Sequence, residues 1–390
     1  GKEADLIDKA IAAVLAKVRK ADPADLPPEP ERLLDTPTYE GFAIRPLYTS
    51  LDAVAEPALP GQWPFIRGGD ALRDVKSGWK VVEGVPIVPG TGVETVNGAA
   101  LVSLTEGAGA LAVRIGAEGV ASADLDRLFD GVFLDLVPVI LDGGEPGELA
   151  DAVLGLLTDF DDDQRARLSI DLGADPLTAP LSGRTPTDDA DMIATVAKLT
   201  EYAGGVRAIT VDGPAFHNLG AGAVWELAAS IAAGVAYLRI LDDHGVEVAD
   251  ALRQISFRYA ADDDQFLTIA KLRAARQLWA RVAEVVGAKA AGDATIHVVT
   301  SLPMMTQRDP WVNMLRTTLA AFSAGVGGAD TVQVLPFDVA IPGGLDGSSA
   351  MFARRIARNT QLLLLEESHV GRVLDPAGGA WFVEDLTAQL

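Results

Sequence analysis

The chain has 390 residues, 49% of them hydrophobic, enough to bury a large core in one barrel or in two to three smaller domains. Its 55 acidic residues against 32 basic ones give a formal net charge of −23, a field that repels phosphate backbones and anionic bilayers, so neither nucleic acid nor a membrane is an expected partner. There is no cysteine, which excludes disulfides, iron–sulfur clusters and thiol catalysis and suits a cytoplasmic setting.

In chain order, Leu6, Ile7, Ile11, Val14, Leu15 and Val18 fall at helical spacing and predict an amphipathic helix over 5–20. A Pro-rich stretch from Asp22 to Pro30 follows. Residues 33–105 are turn-rich, with Pro-Gly and Gly-Gly punctuation, and read as an extended arm with no core of its own. From about residue 106 the pattern alternates. Short β-rich runs occur at Ala110–Ile115, Val137–Leu141, Leu168–Leu172, Val206–Val211, Gln254–Tyr259, Thr295–Val299, Thr331–Leu335 and Val370–Leu374. Helical spacing marks Asp188–Tyr202, Ala221–Asp243, Asp264–Val286, Pro310–Ala324 and Ser349–Glu367. Eight strands alternating with helices predict a parallel sheet, and eight is the number that closes a barrel. An open doubly wound sheet is the alternative, but no G-x-G-x-x-G follows the first predicted strand. The expected fold is α/β, a TIM-type (β/α)8 barrel over 106–390, preceded by an N-terminal arm and subunit-interaction segment over 1–105.

Chemistry in such a barrel sits at the C-terminal ends of the strands. The segments there, such as Leu141-Asp-Gly-Gly144 and Asp212–Gly222, are rich in Gly and Asp, which turns and helix caps explain by themselves. A Schiff-base lyase or aldolase would need a lysine at these ends, and Lys198, Lys271 and Lys289 fall on helices or loops away from them.

An ordered set of motifs runs along nearly the whole chain. It comprises Thr36-Pro-Thr-Tyr-Glu-Gly-Phe-Ala-Ile-Arg-Pro-Leu-Tyr-Thr49, Pro60-Gly-Gln-Trp-Pro-Phe-Ile-Arg-Gly68, Leu128-Phe-Asp-Gly131, Phe216-His-Asn-Leu-Gly-Ala-Gly-Ala223, Lys271-Leu-Arg-Ala-Ala-Arg-Gln-Leu-Trp279 and Asp309-Pro-Trp-Val-Asn-Met-Leu-Arg-Thr-Thr318. Phe352-Ala-Arg-Arg-Ile-Ala-Arg-Asn-Thr-Gln361 and Asp375-Pro-Ala-Gly-Gly-Ala-Trp-Phe-Val-Glu384 close the set. Together they resemble the cobalamin-dependent methylmalonyl-CoA mutases. The resemblance implies a TIM-type barrel whose arm wraps a partner subunit. It also implies radical interconversion of (R)-methylmalonyl-CoA and succinyl-CoA with adenosylcobalamin.

The departures are as specific as the matches. Where the family's catalytic chains carry a Tyr-rich segment, this chain reads Gly69-Asp-Ala-Leu-Arg73. Thr105-Glu-Gly-Ala-Gly-Ala110 replaces a Gly-Gln-x-Gly-Leu-Ser segment, and Ile140-Leu-Asp-Gly143 replaces a polar strand end. Gln333 stands at a histidine position, Leu335 at an asparagine position, and Asp338-Val339 at an Asp-Glu pair. Radical rearrangement needs donors aimed at the thioester and a clamp on the carboxylate, in a dry pocket. Apolar replacements remove those donors and fill the space.

His217 stands where the catalytic chains place a histidine on the substrate thioester. It is the family-equivalent catalytic position, but the rest of its constellation is missing and a histidine satisfied by its neighbours is the expected state. Asp242-Asp-His244-Gly-Val-Glu247 resembles the Asp-x-His-x-x-Gly of a lower axial cobalamin ligand without its glycine; a helix C-terminus alone favours His244. His297 and His369 have no second ligand at metal spacing. Asp262-Asp263-Asp264 reads as a helix N-terminus, and Asp159 with Asp161–Asp163 as a solvated turn. Arg354, Arg355 and Arg358 are expected to pair with Glu366, Glu367 or a partner chain rather than with CoA phosphates.

The resemblance therefore implies the small, non-catalytic subunit of a heterodimeric mutase. No catalytic, cofactor-binding or metal residue is expected on it. Adenosylcobalamin would be bound by the large catalytic subunit, its partner. The family continues past the barrel into a cobalamin-type domain, expected to lie outside these 390 residues. The alternatives are a catalytic acyl-CoA mutase of altered substrate, a lyase or aldolase barrel, and a structural homodimer.

Overall fold

The computed structural model describes residues 2–20, 22, 25–184 and 186–390; Pro23 and Ala24 of the Pro-rich stretch lie outside them. Helix α1 (Lys2–Arg19) comes first. A small antiparallel hairpin follows, pairing Thr36–Pro37 with Ala43–Ile44. The chain then enters eight parallel strands that close a barrel in sequence order. They are β1 (Lys80–Val85), β2 (Ala110–Arg114), β3 (Val139–Asp142), β4 (Ile170–Ala174), β5 (Val206–Asp212), β6 (Ile255–Ala261), β7 (Ile296–Thr300) and β8 (Thr331–Gln333), with β8 returning onto β1. Outside them lie α2 (Val93–Thr105), α3 (Pro146–Leu156), α4 (Asp189–Leu199), α5 (Ala223–Asp243), α6 (Gln265–Val285), α7 (Asn313–Val326) and α8 (Ala350–Leu362). A last helix, α9 (Trp381–Gln389), packs on α6.

Strand alternation divides the interior in two. Leu111, Val113, Val139, Leu141, Ile170 and Leu172 turn outward into one continuous core beneath the helices. Val82, Ala110, Ala112 and Ile140 form a separate small cluster on the opposite face of β1–β3, inside the bore. In the outer core Trp279 of α6 meets Phe257 of β6 edge-on, with ring centroids 4.8 Å apart. Gly234 of α5 makes room for it: a Cβ there would lie 2.9 Å from the Trp279 ring and 3.3 Å from Phe257. A mid-helix glycine, weak on propensity grounds, is thereby explained. Gly325 of α7 does the same for Trp79, whose ring would meet a Cβ at 2.3 Å. Helix α5 is long and apolar enough to cross a membrane by length and composition, but its apolar side is spent on this packing, and Leu227, Tyr237, Leu238 and Leu241 are buried.

The barrel begins earlier than the pattern suggests. Its first strand is Lys80–Val85, ahead of the expected boundary at 106, and Ala110–Arg114 is the second. Glu83 and Gly84 break the apolar signature of β1. Glu83 is nonetheless buried, because Arg354 and Arg358 of α8 reach it from the far end of the chain. With β1 in place, β8 closes the ring, and the last predicted strand is left outside. Val370–Arg372 forms a single helical turn, entered through His369 in the left-handed region. Arg354 and Arg358 therefore pair with Glu83 and Glu106 rather than with Glu366 or Glu367, and Arg355 stacks over Phe352.

Candidate active-site face and bore of the barrel

Two ionic layers cross the bore. In the lower one, Asp171 of β4 accepts from Nε and Nη2 of Arg207 on β5 at 2.8 and 2.7 Å. His297 of β7 reaches the same carboxylate with Nε2 at 2.8 Å, and its Nδ1 lies 2.9 Å from Thr331 Oγ1 on β8. Since an ionised carboxylate only accepts, Nε2 carries the proton. β4 and β7 lie three places apart round the ring, so this chain of contacts spans the interior. Asp171, Arg207 and His297 are all buried. Burial alone would push the Asp171 pKa up; Arg207 and His297 overcome it and hold the carboxyl far below the usual range.

The upper layer sits at the C-terminal mouth. Arg258 of β6 donates to Asp212 of β5 at 2.8 Å and lies 3.7 Å from Asp142 at the end of β3. Arg184, from the segment after β4, contacts Asp142 at 3.2 Å, Asp175 at 2.9 Å and Asp212 at 3.1 Å. Tyr237 and Thr178 also hydrogen-bond Asp175, whose pKa burial raises despite those bonds. Burial would lower the Arg258 pKa, but Asp212 and Asp142 keep it raised. Two guanidiniums thus face three carboxylates, and neither is free for an anion. Thr210 and Ser256 hydrogen-bond at 3.0 Å on the same strands, β5 and β6.

An open cavity of about 950 Å³ lies over the ends of β2–β4. That volume would hold a ligand, but its charged lining is Glu118, Asp142, Glu145, Glu148 and Asp175 against Arg114 and Arg184. It is an acidic basin and does not suit a polyanionic thioester.

His217 ends the one-turn helix Gly213–His217 that follows β5. Its Nε2 lies 2.7 Å from Ser301 Oγ, just past β7. Burial lowers its pKa first, with Glu226 opposing and Lys271 assisting. A neutral imidazole satisfied by a hydroxyl results, and neither residue lines the cavity over β2–β4.

The remaining sequence candidates scatter. Lys271 starts from α6 as expected, yet its Nζ reaches the end of β6, 2.7 Å from the Ala260 carbonyl and 2.5 Å from Glu226. A buried, ion-paired ammonium is a poor nucleophile. Lys198 pairs with Asp151, and Lys289 stands over the Trp63 ring. His244 contacts the Ile240 carbonyl at the end of α5. Asp264 caps α6, and Asp161 forms a capping box with Gln164. Among the described residues no three His, Cys, Asp or Glu side chains gather as a metal site. The ionic layers went unread at the sequence level, though a signal existed. Asp171, Arg207, Arg258 and His297 sit inside strands, and buried charges must be paired.

Comparison with known proteins fits this picture. The family model for methylmalonyl-CoA mutase matches residues 37–390. The chain is 64% identical to a protein of Mycobacterium tuberculosis (strain ATCC 25618 / H37Rv) named as a probable methylmalonyl-CoA mutase small subunit, over 98% of this chain and 62% of that one. The methylmalonyl-CoA mutase small subunits of Streptomyces virginiae and Propionibacterium freudenreichii subsp. shermanii are 48% and 37% identical, over 92% and 90% of this chain and 57% and 54% of theirs. The chain thus spans about three fifths of the length of these relatives. With a barrel of the expected topology and a match over nearly all its residues, the chain belongs to the methylmalonyl-CoA mutase family.

Proposed function

We propose that this chain is the arm and barrel of the small subunit of an adenosylcobalamin-dependent methylmalonyl-CoA mutase. In this reading it is itself non-catalytic and pairs in the cytoplasm with a large subunit that binds the cofactor and performs the rearrangement. The carrying observation is the bore. A thioester threaded along the axis would have to break the Asp171–His297 link and then displace Arg258 and Arg184 from three carboxylates. Removing one member of a buried ion pair costs about 3–5 kcal/mol, more than a ligand contact of about 1–3 kcal/mol restores.

In this reading neither of the two histidines singled out in the sequence serves adenosylcobalamin as an axial ligand. His217 is held by Ser301, and His244 is turned to a carbonyl on the outer surface. In this reading the chain contributes by association, each subunit favouring the folded state of the other. Helix α1 suits such a role, since Leu6, Val14 and Val18 are exposed along it. The test is calorimetric titration of the isolated chain with methylmalonyl-CoA and succinyl-CoA. No saturable heat is expected at micromolar ligand. Saturable binding lost in His217→Ala would favour a catalytic barrel of altered substrate.

A further inference from the structure

The lower ionic layer is built like a receptor with its ligand attached. Arg207 offers Nε and Nη2 side by side to one carboxylate, the fork in which a guanidinium recognises a carboxylate best. His297 adds a third donor, Nε2, from across the bore. These donors meet at Asp171, yet each side chain is also held by something else. Arg207 donates from Nη1 to the Gly204 carbonyl at 2.7 Å and from Nη2 to Ser169 Oγ at 2.8 Å. The His297 ring is fixed by Thr331 at its Nδ1. The strand ladder sets both pairs in register, Asp171 beside Arg207 and His297 beside Thr331. The donors therefore keep their places when the Asp171 side chain is taken away, and a site already ordered binds without further loss of freedom.

What Asp171 presents defines the class of ligand. Beyond its Cα it is a CH2–COO⁻ group, which is acetate less a hydrogen. Shortened to alanine it leaves room for formate; shortened to glycine, for acetate. Charge selects an anion for that place, because Arg207 cannot shed its proton and a buried cation without a partner is strongly disfavoured. There is also a way in. Ser169, which holds Arg207, lines a cavity of about 210 Å³ under the barrel, together with Thr295 and Asp330 just ahead of β7 and β8.

We propose that Arg207 and His297 form a carboxylate receptor inside the bore, and that Asp171 occupies it as an internal ligand and so closes it to small carboxylates from solution. This holds whether or not the chain pairs with a larger subunit. The test is unfolding of the full-length polypeptide by heat and by urea, with sodium formate or sodium acetate added. Wild type should respond to neither beyond its response to sodium chloride at equal ionic strength. Asp171→Ala should be restored by formate, its ratio of folded to unfolded chain rising about tenfold for each tenfold of formate above the dissociation constant. Acetate, larger by a methyl group, should do less. Asp171→Gly should favour acetate instead. Asp171→Ala combined with Arg207→Met should lose the response to both. Where Asp171→Ala is too unstable to purify, its recovery on refolding with and without formate reads the same quantity. Restoration by chloride equal to that by formate would reduce the effect to bare charge. No restoration by either carboxylate would mean that the layer collapses into the vacancy, and formate and acetate acting alike in both variants would place the anion elsewhere. A wild type stabilised by formate would show that Asp171 does not fill the site. Each of these results overturns the receptor.

Discussion

The barrel has two interiors, and they are closed by different forces. Between strands and helices the core is apolar and held by shape, as where Trp279 fits under Gly234. Inside the bore, from β3 round to β8, the filling is ionic and held by complementary charge. The β1–β3 wall of the bore is lined instead by small apolar side chains. Shape-held cores lose stability atom by atom. Charge-held ones fail when one partner is removed but tolerate loss of the whole set. A closed bore can therefore be as rigid as a packed core while keeping a different mutational signature.

The largest expected effects test that contrast directly. Trp279→Ala should cost about 3–5 kcal/mol in chemical denaturation, through lost burial and a cavity. Asp171→Ala should cost a similar amount, about 3–5 kcal/mol, because Arg207 and His297 remain buried without their anion. The second site then diverges. A triple replacement, Asp171→Leu with Arg207→Met and His297→Leu, should be neutral or stabilising by about 1–4 kcal/mol, whereas further truncation around Trp279 only accumulates loss. A triple variant as unstable as Asp171→Ala would show that shape, not charge, closes the bore.

Gly234→Ala is the next step down. The added methyl would stand 2.9 Å from the Trp279 ring, which is buried and cannot swing away. Overpacking of this kind costs about 1–3 kcal/mol, although alanine is the better helix former by roughly 1 kcal/mol. A net loss in thermal unfolding is expected. Combined with Trp279→Ala the penalty should vanish, since the two changes share one contact.

Much of this architecture is legible in the sequence. Runs such as Val206–Val211 carry enough branched apolar residues to announce a buried parallel strand. Motifs such as Phe216–Ala223 carry the family. β1 is not legible, because the residues that let Glu83 lie buried are more than 250 positions away on α8. The state of the bore is only half legible. The motif departures point to lost donors and to space filled by Leu and Val. The structure closes the bore with ion pairs instead, and which charges meet across a barrel depends on strand stagger, which local pattern does not encode.

The smallest effect concerns a charge outside the bore, where solvent decides the outcome. Asp293 lies just before β7, under the barrel, near Arg276, Asp330, Asp70 and the Gly69 amide. Burial chiefly raises its pKa, Asp330 and Asp70 add to the rise, and Arg276 opposes it; the result is about 6. The folded state thus holds a proton that the unfolded chain, near 3.8, has already released. Stability from this group is present below the unfolded value and is lost as pH rises through about 6. Asp171 has the opposite sign: its folded pKa is depressed, so its contribution persists at neutral pH and disappears only in strong acid. Asp293 keeps 47% of its side chain in solvent, so screening should hold its effect to less than about 1 kcal/mol. Asp293→Asn should raise the melting temperature slightly at pH 7 and by clearly less at pH 5, where only part of the contribution has been lost. An equal rise at both pH values would mean that the gain comes from the amide's new hydrogen bonds rather than from removal of a charge.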